Sequence, residues 1–198
     1  MQPAQVTVEC VVTSDGEHNV WFIGDDSECV VIDPAGAVGD LLGHCDARRL
    51  RAILWTTLRP EFVGTAISLA AHTGAVTYLH TDDLVLWRQA EPEMRPQSSV
   101  PNGLVLNIGG VRFESIHTPG ISPGAICWHV PALSAVFTGE TLGVHGLGGL
   151  GLPLSDRSRL MASIRRGLFT LSSQTVVHPG RGVDTRIGTQ RWDPRFWS

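Results

Sequence analysis

Residues 31–36 are Val31-Ile32-Asp33-Pro34-Ala35-Gly36, the end of an apolar run that starts at Cys29 and stops at a proline and a glycine. A run of this length and composition predicts a short buried strand, Cys29–Asp33. Two earlier runs, Val6–Thr13 and Asn19–Gly24, flank the turn residues Ser14-Asp15-Gly16 and predict a hairpin. The chain is therefore predicted to begin with three strands.

Further along the chain, helical and strand patterns alternate. The predicted helices are Val38–Cys45, Val63–His72, Asp83–Gln89 and one that Ser155 caps and that runs to about Leu171. The predicted strands are Arg51–Thr56, Ala75–Leu79, Leu104–Ile108, Val111–His117, Ala125–Val130, Ala135–Thr138 and Thr175–His178, with Ala90–Asn102 as a surface loop. Strands followed by helices in each half of the chain favour the mixed α/β (α+β) class, with sheets covered by helices.

Size and composition indicate a globular protein. The 198 residues are 42% hydrophobic and 17% charged, which predicts a single domain over residues 1–198. The net charge is −4 and no basic stripe is present, so nucleic acid and anionic membranes are excluded as expected partners. Neither a signal-peptide pattern nor an apolar run of about 20 residues is found, which predicts a cytoplasmic protein.

The basic residues and the cysteines limit the chemistry. All 15 basic residues are arginines, so no lysine can form a Schiff base. The cysteines form no Cys-x-x-Cys pair and are expected to be buried thiols, not zinc ligands or disulfides: Cys10, Cys29, Cys45 and Cys127. Cys127 lies within a predicted strand and is expected to be unreactive.

Six ordered segments carry a resemblance to a known family. They are Val31-Ile32-Asp33-Pro34, Ala52-Ile53-Leu54-Trp55-Thr56, His117-Thr118-Pro119-Gly120, Val136-Phe137-Thr138-Gly139, His178-Pro179-Gly180-Arg181-Gly182, and the tail Thr185-Arg186-Ile187-Gly188 with Asp193-Pro194-Arg195-Phe196. In this order they resemble the short glyoxalase II-like (hydroxyacylglutathione hydrolase-like) members of the metallo-β-lactamase superfamily. The resemblance implies a four-layer αβ/βα sandwich with the active site at one edge. It also implies that the helical substrate domain of longer glyoxalase II enzymes is missing here.

The resemblance further implies a metal site, but the residues at its positions differ from the family pattern. Active members use His-x-His-x-Asp-His, a histidine after the Pro-Gly turn, a bridging aspartate after Thr-Gly and a final histidine, commonly with zinc. The corresponding residues here are Thr57, Arg59, Glu61, Phe62, Ile121, Glu140 and Arg181. Because two are permanent cations and none is an imidazole, no metal cofactor is expected in the usual place. The same seven residues are instead the predicted ligand-binding set.

Charge balance suggests what replaced the metal. Without metal ions the carboxylates of Glu61 and Glu140 would lack compensation, and an unpaired buried carboxylate is costly. We therefore predict that Arg59 or Arg181 forms an ion pair with one of them across the old site. The alternative is that both arginine side chains turn outward to solvent.

Several other residues are candidates for a role at the site. His117, His145 and His178 could form a relocated metal site, although a lone histidine is more often structural. Asp33 is expected to accept hydrogen bonds from backbone amides, and Ser122 could meet His117. The Gly146–Gly151 segment fits Gly-x-Gly-x-x-Gly but lacks the strand–helix context of a dinucleotide site, so it is interpreted as a flexible loop at the cleft mouth. The tail residues Trp192 and Trp197 are core anchors or part of a homodimer contact.

Three functions follow from these observations. The leading hypothesis is a pseudoenzyme that binds a small anionic ligand or a protein partner. The second is a metal-independent hydrolase of thioesters, esters or lactones, with catalytic candidates Glu61, Glu140 and His117. The third is a non-catalytic subunit of an active homologue.

Overall fold

The computed structural model describes residues 5–91, 96–149, 151 and 154–196. Its strands are β1 (Thr7–Val12), β2 (Asn19–Gly24), β3 (Glu28–Ile32), β4 (Arg49–Leu54), β5 (Val76–Leu79), β6 (Ser98–Ser99), β7 (Val105–Ile108), β8 (Val111–His117), β9 (Ile126–Val130), β10 (Ala135–Gly139), β11 (Leu142–Gly143), β12 (Gly146–Leu147), β13 (Val176–Pro179) and β14 (Thr185–Arg186). Its α-helices are α1 (Val38–Cys45), α2 (Val63–Thr73), α3 (Leu84–Ala90), α4 (Arg157–Gly167) and α5 (Ile187–Arg191).

The strands form two main sheets. The first has the order β1-β2-β3-β4-β5-β6, antiparallel up to β3 and parallel beyond it. The second has the order β14-β13-β10-β9-β8-β7, in which β10 and β13 are parallel and the other pairs antiparallel. β11 and β12 form a small separate hairpin.

Three hydrophobic clusters define the layers. The central cluster lies between the two sheets and includes Ile23, Leu54 and Trp128. A second cluster packs the outer face of the first sheet against α1, α2 and α3. The third packs the second sheet against α4 and α5, with Leu160 and Ile187 among its members. Helix, sheet, sheet and helix thus follow one another, which confirms the predicted αβ/βα sandwich.

The start of α4 differs from the prediction. Asp156, not Ser155, is the N-cap, and its Oδ1 accepts a hydrogen bond from the backbone amide of Arg159 at 2.9 Å. The helix ends at Gly167 and passes into a 3-10 turn, Leu168–Thr170, so the predicted end at Leu171 was too late. Both residue types can cap a helix, and Asp156 does so because its backbone is extended (φ −140°, ψ 110°) immediately before the first helical residue.

Other corrections concern exposure and the predicted loop. Trp192 is 78% exposed and anchors no core, whereas Phe196 is fully buried; Trp197 lies outside the described residues. Cys10 is exposed on edge strand β1, while Cys29, Cys45 and Cys127 are buried as predicted. Within the predicted loop Ala90–Asn102, Ser98–Ser99 pairs with β5, and residues 92–95 lie outside the described part. No helix among the described residues is long and apolar enough to cross a membrane.

Candidate functional site

Segments that follow three strands meet at one edge of the sandwich. Residues 57–62 follow β4, Glu140 follows β10, and Arg181 follows β13. The backbone amide of Gly180 donates to the carbonyl of Gly139 at 2.7 Å, which ties the ends of β10 and β13 together. The parallel pairing of these two strands brings both strand ends to the same edge.

A cavity of about 330 Å³, called the cleft below, opens at this edge. One side is lined by residues 142–149 and 151, which are mostly glycine and aliphatic; the other side carries Arg59, Glu140 and Arg181. Gly148 lies so close to Glu140 that a Cβ atom there would overlap the Glu140 carbonyl oxygen. The glycine-rich segment therefore does border the cleft, and Leu150 within it lies outside the described residues.

A second, much smaller cavity of about 20 Å³ is lined by Thr57, Arg59, Glu140, Phe62 and Asp33, among others. This space suffices for about one water-sized group. The buried hydroxyl of Thr57 has no hydrogen-bond partner among the described residues. A small polar group bound in this cavity would therefore be able to hydrogen-bond to the Thr57 hydroxyl.

Arg59 forms the central ion pair of the cleft. Its Nη1 lies 3.3 Å from Oε2 of Glu140, and both side chains are largely buried, 20% and 15% exposed. Its Nε lies 3.1 Å from Oε1 of the more exposed Glu61. The predicted arginine–glutamate pair is thus confirmed, with one guanidinium contacting two carboxylates that come from different parts of the chain.

Arg181 lies at the outer side of the same network. Its Nε is 3.5 Å from Oε1 of Glu140, and its Nη1 is 3.2 Å from Oε2 of the exposed Glu17. Its Nη2 also lies 3.3 Å from Nε2 of His18. Burial, followed by the charge of Arg181, lowers the pKa of His18. The neutral imidazole can then accept a hydrogen bond from the guanidinium.

Asp33 holds the start of the loop after β4 in place through two hydrogen bonds from Thr56. Its Oδ1 accepts a hydrogen bond from the backbone amide of Thr56 at 2.7 Å, as predicted, and its Oδ2 accepts a second one from the Thr56 hydroxyl. Burial raises the pKa of Asp33 to about 7, although the two hydrogen bonds from Thr56 oppose the shift. Asp33 is therefore a carboxyl group that titrates near neutral pH at the wall of the small cavity.

The remaining predicted residues divide into two groups. Phe62 lines the small cavity and contacts His18 edge-on, with ring centroids 4.8 Å apart. Ile121 is fully buried in the cluster under α4 and lines neither cavity, because the turn after β8 directs it into the core. The structure therefore brings Thr57, Arg59, Phe62, Glu140 and Arg181 together, with Glu61 at the rim, and leaves out Ile121 and His117.

The three predicted histidines do not form one site. His145 borders the cleft, whereas His178 stacks on Phe137 with its Nδ1 3.0 Å from Oδ1 of Asp184. His117 stacks on His80, with ring centroids 4.1 Å apart and planes 14° apart. The structure therefore does not bring together the relocated metal site that was considered for His117, His145 and His178: His117 ends β8, His178 lies within β13, and His145 lies between β11 and β12.

A different group surrounds His117. Among the described residues, those whose potential metal-ligand atoms all lie within 4.8 Å of one another are His80, Asp82 and His117, called the histidine corner below. Its members follow β5 or end β8, and none of them lines the cleft or the small cavity. Sequence reasoning missed His80, although it directly follows a predicted strand, as functional residues often do.

The predicted contact between Ser122 and His117 is not formed. Ser122 donates to Oδ2 of the buried Asp83 at 2.7 Å, and the Gly124 amide donates to Oδ1 of Asp83 at 2.6 Å. His117 instead donates from Nε2 to the carbonyl of Pro123 at 2.9 Å. Asp83 thus connects the start of α3 to the turn before β9, a role that its position after Asp82 did not reveal.

Comparison with known proteins agrees with this architecture. A model of the metallo-beta-lactamase superfamily matches residues 13–191. The chain is 26% identical to hydroxyacylglutathione hydrolase GloC of Haemophilus influenzae, covering 94% of this chain and 95% of that protein. It is 27% identical to the probable metallo-hydrolase YqgX of Bacillus subtilis, covering 88% and 90%. The structure of the BLEG-1 B3 metallo-beta-lactamase superposes with a TM-score of 0.83 at 24% identity, over 97% of this chain and 100% of that one.

Proposed function

The chain belongs to the metallo-beta-lactamase superfamily, and from that premise we propose that it is a pseudoenzyme whose cleft binds a small organic molecule with a carboxylate or similar anionic head. The observation that carries the proposal is the Arg59–Glu140 ion pair beside a cavity of about 330 Å³. A cavity of that volume falls within the range of small-molecule sites, roughly 300–1,000 Å³.

The residues at the family metal positions do not fit a divalent cation. Zinc requires neutral imidazoles, thiolates or carboxylates as ligands, and these positions offer no imidazole or thiolate. Arg59 contacts both Glu140 and Glu61, and Arg181 lies 3.5 Å from Glu140, so the carboxylates have cations that belong to the chain. A metal ion would have to displace a permanent positive charge from a largely buried pair, at an electrostatic cost that grows with burial.

The lining of the cleft suggests the class of ligand. Residues 142–149 provide a mostly aliphatic and glycine-rich wall for an apolar body. At the other side, Arg181 is 45% exposed and its partner Glu17 is 59% exposed. Because an exposed ion pair contributes only about 0–1 kcal/mol, a ligand carboxylate could replace Glu17 at little cost. The planar guanidinium would then bind both carboxylate oxygens.

A binding series tests this proposal. We would measure calorimetric affinity for straight-chain carboxylic acids of increasing length, with the matched alcohols as uncharged controls. Acids should bind more tightly than alcohols, and Arg181→Ala should weaken acid binding at least about tenfold, which is about 1.4 kcal/mol. Arg112→Ala is the control, because Arg112 is also exposed and paired with a glutamate, on β8 away from the cleft. Equal affinities for acids and alcohols, or for the wild type and Arg181→Ala, would refute anion recognition.

The absence of a metal at the family position needs its own measurement. Elemental analysis should be made on protein purified without chelator, carrying His80→Gln and His117→Gln so that the histidine corner does not contribute. No stoichiometric zinc, iron or manganese is expected. One tightly held equivalent in this variant would overturn the proposal.

A metal-independent hydrolase is the second candidate, favoured by one specific observation. Asp33, with its pKa raised to about 7 by burial, lines the small cavity together with Glu140, so a proton donor and a carboxylate base lie at the same place. Groups that titrate near the working pH are suited to general acid–base catalysis. Thioester or lactone hydrolysis that survives chelator and is lost in Glu140→Gln would support this candidate over pure binding.

A further inference from the structure

The histidine corner combines two imidazoles with a carboxylate outside the cleft. The ligand atoms of His80, Asp82 and His117 all lie within 4.8 Å of one another, and Nδ1 of His80 is 3.8 Å from Oδ2 of Asp82. In a tetrahedral zinc site with bonds of about 2.0 Å, ligand atoms are roughly 3.3 Å apart. To surround an ion, no two of these ligand atoms therefore have to approach each other by more than about 1.5 Å.

Hydrogen bonds to the backbone orient one ligand for such a role. His117 donates from Nε2 to the carbonyl of Pro123 at 2.9 Å, which leaves the Nδ1 lone pair available. Metal-binding histidines usually make this kind of bond through the nitrogen that does not hold the metal. Asp83 holds the segment that follows His117 in place, because it accepts hydrogen bonds from Ser122 and Gly124 on that segment.

The surroundings of His80 also suit a metal ligand. Its side chain is only 9% exposed, and its ring stacks on that of His117, so the two candidate imidazole ligands lie next to each other. Asp82, which is 50% exposed, contributes a negative charge and lies on the solvent side of the group, where an ion would enter.

We propose that the histidine corner binds one divalent transition-metal ion, such as Zn²⁺, through His80, Asp82 and His117. Two imidazoles and one carboxylate with an open fourth position are a ligand set that zinc accepts. The rings are stacked at 4.1 Å in the structure, whereas a metal lies in the plane of the imidazole that binds it. Binding therefore tilts at least one ring out of the stack and replaces the hydrogen bond from the Asp82 amide to Nδ1 of His80.

Cobalt and zinc titrations test the proposal. The wild type should bind one equivalent of Co²⁺ and show visible absorption bands. These bands should disappear when Zn²⁺ displaces the Co²⁺. His117→Gln and His80→Gln should each weaken Zn²⁺ binding at least about tenfold, since even loss of a supporting hydrogen bond to a ligand costs 10–100-fold. His72→Gln is the matched control, because His72 lies on α2 and hydrogen-bonds to the Ser68 carbonyl of the same helix. Absence of stoichiometric binding, or equal affinity of the wild type and His117→Gln, would overturn the proposal.

Two further measurements keep the test decisive. If a glutamine variant fails to fold, X-ray absorption of the zinc-loaded wild type counts the imidazole ligands directly; two are expected, and none would refute the site. Glu140→Gln distinguishes this inference from the proposed function. Zinc retained in Glu140→Gln and lost in His117→Gln supports the histidine corner, whereas the reverse pattern places the ion in the cleft and refutes both proposals.

Discussion

The cleft and the histidine corner satisfy their polar groups in opposite ways. In the cleft, side chains far apart in sequence neutralise one another, as Arg59 and Glu140 do across 81 positions. In the histidine corner, the imidazoles hydrogen-bond to backbone groups nearby in sequence, such as His117 to Pro123. The first arrangement depends on the assembled fold and on charge, and the second on local geometry. The two regions should therefore respond differently to mutation, pH and salt.

The largest loss of stability from a single substitution at constant pH is expected at Asp83, whose hydrogen bonds hold the histidine corner in place. Asp83 is fully buried and accepts hydrogen bonds from the Ser122 hydroxyl and the Gly124 amide. Asp83→Ala should lower the free energy of unfolding by about 3 kcal/mol, because it leaves both donors buried without a partner. Urea denaturation measures this, with Asp82→Ala in chelator as a control expected to change stability by under about 0.5 kcal/mol. Equal effects of the two changes would show that Asp83 is not the structural link.

An effect that depends on pH is expected at the small cavity, where Asp33 lies. Burial raises the pKa of Asp33 to about 7, from an unfolded value near ~3.9. Its stabilising contribution is therefore fully present below about pH 4 and is lost as the pH rises through 7. Relative to Asp33→Asn, the wild type should lose stability between pH 4 and 7 at up to about 1.4 kcal/mol per pH unit, measured by denaturation at each pH. Asparagine tolerates the positive φ of 51° at this position, so it is a suitable reference. A difference that is constant with pH would contradict the shifted pKa.

The smallest effect separates the inner and outer arginines of the cleft. Arg59→Ala should cost about 1–2 kcal/mol, because Glu140 is largely buried and loses its closer partner. Arg181→Ala should cost under about 1 kcal/mol, and 0.5 M NaCl should largely remove its effect, since its partner Glu17 is exposed. Unfolding curves at low and high salt compare the two. If Arg181→Ala lowered the free energy of unfolding as much as Arg59→Ala, and high salt did not reduce the loss, the two arginines would be equally important to the network.

The sequence predicted much of the fold because its signals are periodic and ordered. Most strands and helices fall where alternation, helical spacing and turn residues placed them, and the ordered motifs identified the sandwich. The pairing of Arg59 with Glu140 was also predictable, because strand ends fix where loops meet and opposite charges at one edge favour contact. These inferences required only the positions of the residues along the chain. They did not require knowing the direction in which each side chain points.

Side-chain direction explains what the sequence did not reveal. Ile121 follows the Pro-Gly turn at a ligand position, yet it points into the core beneath α4. Ser122 is five residues from His117, but it bonds to Asp83, which is 39 positions away. His18 and Glu17 reach Arg181 from the turn between β1 and β2, across more than 160 residues. Such partners are set by tertiary packing and leave no local pattern.

The guanidinium of Arg59 has a consequence for how the protein depends on its surroundings. A bound ion can be withdrawn by a chelator or become scarce when supply falls, and a site built around it then loses its shape. Here the central positive charge is covalently attached to the loop after β4 and pairs with Glu140 at 3.3 Å. The geometry of the cleft should therefore be insensitive to metal starvation, and the affinity for the anionic ligand proposed above should be the same in metal-depleted and metal-replete cells.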